Sequence, residues 1–171
     1  RVAMKYFVFL MIFACNIFAF DINFKNFSSD FEQKVQSNNS SLNYKGNFII
    51  TQNKAFWNYT KPNKKQIYIN NKEVVIIEPE LEQAIYTQLQ NLPNLQAIFK
   101  NAKLISHENY EAKYENITYN IKLKNSSLNS ISYKDELGNL VSIYFHNQKF
   151  DQNINENIFI PKIPSHFDII Q

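Results

Sequence analysis

The chain has 171 residues, enough for one domain with a core of its own. Its 18 basic and 15 acidic residues give a formal charge of +3, and setting aside Arg1 and Lys5 in the leading apolar segment leaves 16 basic against 15 acidic, or +1. So close a balance argues against nucleic acid as the main partner, and with 2 Gly and 5 Pro the chain is neither linker-like nor low-complexity.

The chain opens on a targeting pattern. Arg1 to Ala3 read as an overhang ahead of Met4-Lys5, a short basic start. Tyr6 to Phe13 is an apolar run that Ala14 to Phe20 continue with only Asn16 polar. That run is shorter than the ~20 apolar residues a membrane span needs. It fits a secretory signal over residues 1–19, cleaved after Ala19, leaving one unit over 20–171. A buried N-terminal strand or helix is the plainer alternative. Cys15 is the only cysteine and lies in this segment, so the processed chain would hold no thiol, disulfide or thiolate metal ligand. Ile12-Phe13-Ala14-Cys15 also loosely resembles a lipobox, in which the cysteine becomes a lipidated N-terminus.

Past that segment the first element reads as a helix. Ser29-Asp30-Phe31-Glu32 matches a capping box, and Phe24, Phe27, Phe31 and Val35 recur at spacings of three and four. The polar run Gln36 to Ser41 ends it.

Strands follow. Aromatics make up 15% of the chain, with 15 Phe, 10 Tyr and a single Trp, and aromatic and β-branched residues favour strands. Tyr44 to Thr51, Lys54 to Thr60, Gln66 to Asn70, Glu73 to Glu78 and Leu81 to Thr87 are short β-rich runs separated by Asn53, Pro62-Asn63, Asn70-Asn71 and Pro79. That pattern predicts an antiparallel meander. A second helix is expected from Pro93, which suits a first helical position, with Leu92, Leu95, Ile98, Phe99 and Ala102 on its apolar face. It is either a lid or a plain loop helix over the core.

Strands then resume. Ile117, Tyr119, Ile121 and Leu123 alternate with polar residues, as do Ile131 and Tyr133. Asp135 to Asn139 makes a hairpin turn into Leu140 to His146, where Val141, Ile143 and Phe145 share a face. Ile158 to Pro161 reads as a last short strand before an extended tail. Such alternation gives each strand one apolar and one wet face. With no second sheet to cover the apolar side, the simplest solution is a curved sheet roofed by two helices, holding either an ordinary filled core or residual space among its large aromatics.

Catalytic and metal chemistry find little support. His107, His146 and His166 are far apart, and none has a partner at metal-ligand or triad-like spacing. There is no Gly-rich phosphate loop and no G-x-S-x-G elbow. Glu78, Glu80 and Glu82 around Pro79 mark a solvated strand end. No cofactor is implied.

An ordered set of short segments resembles one family, the periplasmic outer-membrane lipoprotein carriers of the Lol lipoprotein-localisation system (the LolA family). Phe31-Glu32-Gln33 is like its Phe-x-Gln. Gly46 to Ile50 resembles its first strand, and Phe56-Trp57-Asn58-Tyr59-Thr60-Lys61-Pro62 its aromatic-Trp-x-x-x-x-Pro segment. Ile69 to Val74 resembles a turn where the family often has Asp-Gly, and Glu78-Pro79-Glu80-Leu81-Glu82-Gln83 its Asn/Asp-Pro-x-x-x-Gln segment. Phe159-Ile160-Pro161 with Phe167 to Ile170 resembles its closing pattern.

The resemblance implies a mainly β protein, an incomplete antiparallel β-barrel with a helical lid over its apolar concave face. It implies a non-catalytic, monomeric periplasmic chaperone that takes triacylated lipoproteins from an inner-membrane ATP-driven transporter to an outer-membrane receptor. On that reading Phe48, Ile50, Trp57, Tyr59, Ile67, Ile69, Ile117, Tyr119, Ile121, Ile131 and Tyr133 line an acyl-chain cavity, and Phe27, Phe31, Leu95, Ile98 and Phe99 form the underside of the lid. One departure stands out. Many family members carry an arginine before the Trp-containing strand, whereas Thr51 to Trp57 holds none, Lys54 being the nearest cation, and lysine cannot reproduce the bidentate fork. Two other functions stay open: a lipidated outer-membrane receptor of the same fold, which would need Cys15 and an exposed apolar loop that is not evident in the sequence, and a periplasmic enzyme or binding protein for another apolar ligand.

Overall fold

The computed structural model describes residues 24–88 and 94–171. The predicted targeting segment, with Cys15, and the residues Leu92 and Pro93 of the second predicted helix lie outside these. The fold is mainly β. In chain order the elements are β1 (Asn26–Gln36), β2 (Ser41–Thr51), β3 (Lys54–Lys61), β4 (Lys65–Asn70), β5 (Glu73–Glu78), β6 (Gln83–Gln88), α1 (Leu95–Lys100), β7 (Lys103–Ser106), β8 (Asn109–Tyr114), β9 (Ile117–Lys124), β10 (Ser127–Lys134), β11 (Leu140–Phe150) and β12 (Asp168–Ile170). Short 3-10 turns cover Pro79–Leu81 and Glu156–Phe159.

All twelve strands form one curved, open sheet in the order β12-β6-β5-β4-β3-β2-β1-β11-β10-β9-β8-β7. Every neighbouring pair is antiparallel except β12, which lies parallel to β6 with Ile169 opposite Ala84. Two meanders are therefore fused through β1, which pairs with β2 on one side and β11 on the other. The turns of the second meander are tight. Glu115-Asn116 and Asn125-Ser126 each put two successive residues at positive φ, from 47° to 64°, the backbone of two-residue hairpin loops. Asn at such sites stands in for Gly, because its side chain tolerates the left-handed region.

The helix expected over Ser29 to Val35 is a strand. Phe27, Phe31 and Val35 are four residues apart, and a spacing of four also fits period two. The residues between them on the inner face are polar and hid the alternation. Ser29 is buried, its hydroxyl donating to the carbonyls of Asp30 and His146 at 2.7 and 2.8 Å rather than capping a helix. Gln33 accepts from the Tyr59 hydroxyl at 3.1 Å. Glu32 turns outward to Lys45 at 2.7 Å, and this ion pair holds its carboxyl below the usual range. A register shift between Ser28 and Asp30 against β11 marks a bulge. The predicted strand at Ile158 to Pro161 is likewise corrected. Residues Glu156–Phe159 form a 3-10 turn, begun by the Asn155 side chain accepting from the Asn157 amide at 3.0 Å, and Phe159 is buried.

The inner face carries the main core. Phe27, Phe31, Phe48, Ile50, Tyr119, Ile121, Leu128, Ile131, Val141, Ile143 and Phe145 are packed together with Leu95, Ile98 and Phe99 of α1. On the outer face of β3 to β6, Tyr68, Val75, Ile77 and Ala84 form a second cluster, against which Phe56 packs and over which the C-terminal segment lays Ile163 and Phe167. Both faces of β5 are therefore covered, which is why the run Val74 to Ile77 is apolar without alternation.

Candidate functional site

A cavity of about 530 Å³ opens on the inner face. Its wall includes Ile67 and Ile69 from β4, Trp57 and Tyr59 from β3, Gln33 and Val35 from β1, Val141 and Ile143 from β11, Tyr133 from β10, and Ile117 and Tyr119 from β9. β4 and β9 are six steps apart in the strand order. At ~4.8 Å per step a flat sheet would hold them roughly 29 Å apart. That they line one cavity means the sheet curls around it.

The aromatic residues beside it are tightly coupled. Trp57 stacks on Phe48 with ring centroids 4.5 Å apart and meets Phe31 edge-on at 5.3 Å. Tyr59 also meets Phe31 edge-on at 5.1 Å, and Tyr119 and Tyr133 lie 4.8 Å apart across β9 and β10. The hydroxyls are held neutral: burial pushes Tyr59 up to about 12, and burial with the neighbouring Tyr119 pushes Tyr133 up as well. Glu115, Asn116 and the turn residues Asp135, Glu136 and Leu137 also line the cavity, at the ends of β8, β9 and β10.

A second cavity of about 310 Å³ lies between the β2–β3 turn (Thr51 to Ala55) and the start of α1 (Asn94 to Gln96), and it shares Trp57 and Ile69 with the first. α1 has six residues, with the Asn94 side chain accepting from the Ala97 amide at 3.1 Å, and it packs against β8.

A cavity alone does not name its occupant; the comparison with known proteins narrows it. The family described as "Outer membrane lipoprotein carrier protein LolA" matches residues 23–162. An outer-membrane lipoprotein carrier protein of Campylobacter jejuni is 48% identical over 167 residues, covering 98% of this chain and 99% of that one. One of Helicobacter pylori is 35% identical over 138 residues, covering 81% and 75%. This chain belongs to the LolA family.

Solved structures agree on the fold. The LolA superfamily protein from Nitrosomonas europaea superposes with a TM-score of 0.56 at 8% identity, covering 83% of this chain and 93% of its own. An uncharacterized conserved protein from Thermus thermophilus gives 0.53 at 11% identity, covering 85% and 90%.

Within this LolA-family fold the predicted site residues divide into three groups. Trp57, Tyr59, Ile67, Ile69, Ile117, Tyr119 and Tyr133 line the larger cavity. Ile50 and Leu95 line the smaller one. Phe27, Phe31, Phe48, Ile98, Phe99, Ile121 and Ile131 are buried in the core and line neither. Phe27 and Phe31 belong to the sheet rather than to a roof, so of the five residues assigned to the lid only Leu95, Ile98 and Phe99 lie on a helix. Gln33 and Val35 were missed as lining residues because β1 reads as a helix; Val141 and Ile143 had the right alternation.

Lys54, the cation of the Thr51 to Trp57 stretch, turns to the C-terminal segment. Its ammonium meets Glu156 at 2.7 Å and sits 5.8 Å from the Phe159 ring centre, tying β3 to the C-terminal segment. Gln52 and Asn53 line the smaller cavity opposite Asn94 and Gln96. His107, His146 and His166 are exposed, on the β7–β8 turn, on β11 and on the C-terminal tail. Among the described residues no group of His, Cys, Asp and Glu is arranged to hold a metal, and no helix is long and apolar enough to cross a membrane.

Proposed function

We propose that this LolA-family chain is a non-catalytic periplasmic carrier that shields the acyl chains of triacylated lipoproteins in the cavity of its curled sheet. The observation that carries this reading is the larger cavity itself, ringed by aromatic and branched side chains from six strands. Its volume falls in the range of about 300–1,000 Å³ usual for small-molecule sites.

The physical need is plain. A buried methylene is worth about 0.8 kcal/mol, so one long acyl chain in water costs on the order of 10 kcal/mol and crosses an aqueous space only if sheltered. The carrier must also release its load, which favours a wall that opens over one fully packed. α1 supplies the movable part: six residues seated through Leu95, Ile98 and Phe99. Residues 1–19 direct export and are removed. Cargo comes from an inner-membrane ATP-driven transporter and passes to an outer-membrane receptor.

One observation favours a second reading, that of a membrane-anchored receptor of the same fold. Leu137, the single large apolar residue of the Asp135 to Asn139 turn between β10 and β11, is 88% exposed, as a side chain that such a receptor inserts into a membrane would be. Native mass spectrometry of the protein from the periplasm of its source separates the two. A soluble chain beginning near Phe20 or Asp21, carrying acylated cargo or a displaceable acyl probe, is the carrier's result. A diacylated Cys15 at the N-terminus would identify the receptor, and a chain that binds no acyl probe would overturn both.

A further inference from the structure

The wall of the larger cavity is not uniformly apolar. Tyr119 and Tyr133 face each other in register on β9 and β10, and Tyr133 is the last inward-facing residue before the Asp135 turn. Among the described residues neither hydroxyl has a hydrogen-bond partner, yet no buried side-chain polar atom there is left unsatisfied. Both hydroxyls therefore open onto accessible volume, and both residues line this cavity. On the same wall the Tyr59 hydroxyl donates to Gln33 Oε1, which leaves the Gln33 amide nitrogen as a further donor.

Resting on the carrier reading above, we infer that Tyr119 and Tyr133, with Gln33 beside them, form a polar shelf that donates hydrogen bonds to the ester and amide carbonyls linking acyl chains to their cargo. The chains themselves run past it against Trp57, Ile67 and Ile69. The shelf fits neutral acceptors. Its donors are phenols and an amide, and burial keeps both phenols protonated far above neutral pH. Glu115 and Glu136 on the same cavity wall would repel a free carboxylate or phosphate placed there. The shelf thus sets how deep a cargo sits and favours acyl chains attached through carbonyls over bare hydrocarbon.

The test compares a triacylated lipopeptide with an analogue in which the ester-linked acyl chains are replaced by ether-linked alkyl chains of the same length. Affinities are measured on the native chain and on the Tyr119→Phe/Tyr133→Phe variant, with Gln33→Leu as a second variant. The native chain should prefer the acyl lipopeptide by about threefold to tenfold, the span one to two modest hydrogen bonds provide. The ratio should fall toward one in the double variant, whose binding of the ether analogue reports that it still folds. Equal affinity for both ligands in the native chain, or an undiminished ratio in both variants, would overturn the shelf. Failure of the native chain to bind either ligand would instead contradict the carrier reading and remove the shelf with it.

Discussion

Gly46 sits where a side chain has no room. A Cβ there would collide with the Asn58 carbonyl of the adjacent strand and lie 3.0 Å from the Phe31 ring. It faces Phe31 in the β1–β2 register, beside the irregularity between Lys45 and Gly46. Glycine thus lets a fully buried ring and a neighbouring backbone approach each other. Gly46→Ala should cost about 1–3 kcal/mol, the usual penalty of overpacking, read as a lowered urea midpoint. An unchanged midpoint would mean that β2 and β3 do not approach as closely as described. Tyr59 gives a second expectation at this scale. Its hydroxyl ionises near 10 in the unfolded chain and at about 12 when folded. The unfolded state therefore releases its proton first, and stability present below pH 10 is lost as pH rises toward 12. The slope is up to about 1.4 kcal/mol per pH unit for this group. Tyr59→Phe should flatten the alkaline limb of a stability–pH curve between pH 10 and 12; an unaltered limb would place the hydroxyl in water.

At the level of elements, α1 is the piece whose role is most open to test. Leu95 lines the smaller cavity, while Ile98 and Phe99 are rooted in the core. Leu95→Glu should weaken acyl-chain binding by tenfold or more while the far-ultraviolet spectrum of the sheet persists. Undiminished binding would remove α1 from the site. Elements of period two with clean alternation, such as β9 and the Val141 to Phe145 stretch of β11, were readable in the sequence. β1 was not, because its apolar residues repeat every four positions and its inward polar residues, Ser29 and Gln33, find partners across the sheet. β7 and β8 were also missed. β7 is exposed along its length, and the β8–β9 turn is Glu115-Asn116, a positive-φ pair without the glycine that usually marks such a turn.

For the molecule as a whole, the mainly β class and the curved sheet could be inferred from aromatic-rich alternation without a second sheet to cover it. The closure could not. Residues of β4 and β9 share a cavity only because the twelve strands curl, and which aromatics line it rather than fill the core depends on that curvature. Phe48 and Trp57 illustrate this: they are stacked neighbours of identical parity, yet only Trp57 reaches the cavity. The C-terminal segment adds a second whole-molecule effect by sealing the outer face of β3 to β6, so that the sheet buries apolar groups on both sides there while leaving space inside. The claim that this space holds acyl chains has a built-in reporter. Trp57 is the only tryptophan in the chain, and it forms part of the wall of both cavities. The most direct measurement is Trp57 fluorescence during titration with a triacylated lipopeptide whose chains carry bromine, a contact quencher. The account predicts saturable quenching that unbrominated lipopeptide competes away. Binding without quenching would place the chains elsewhere on the protein and contradict it.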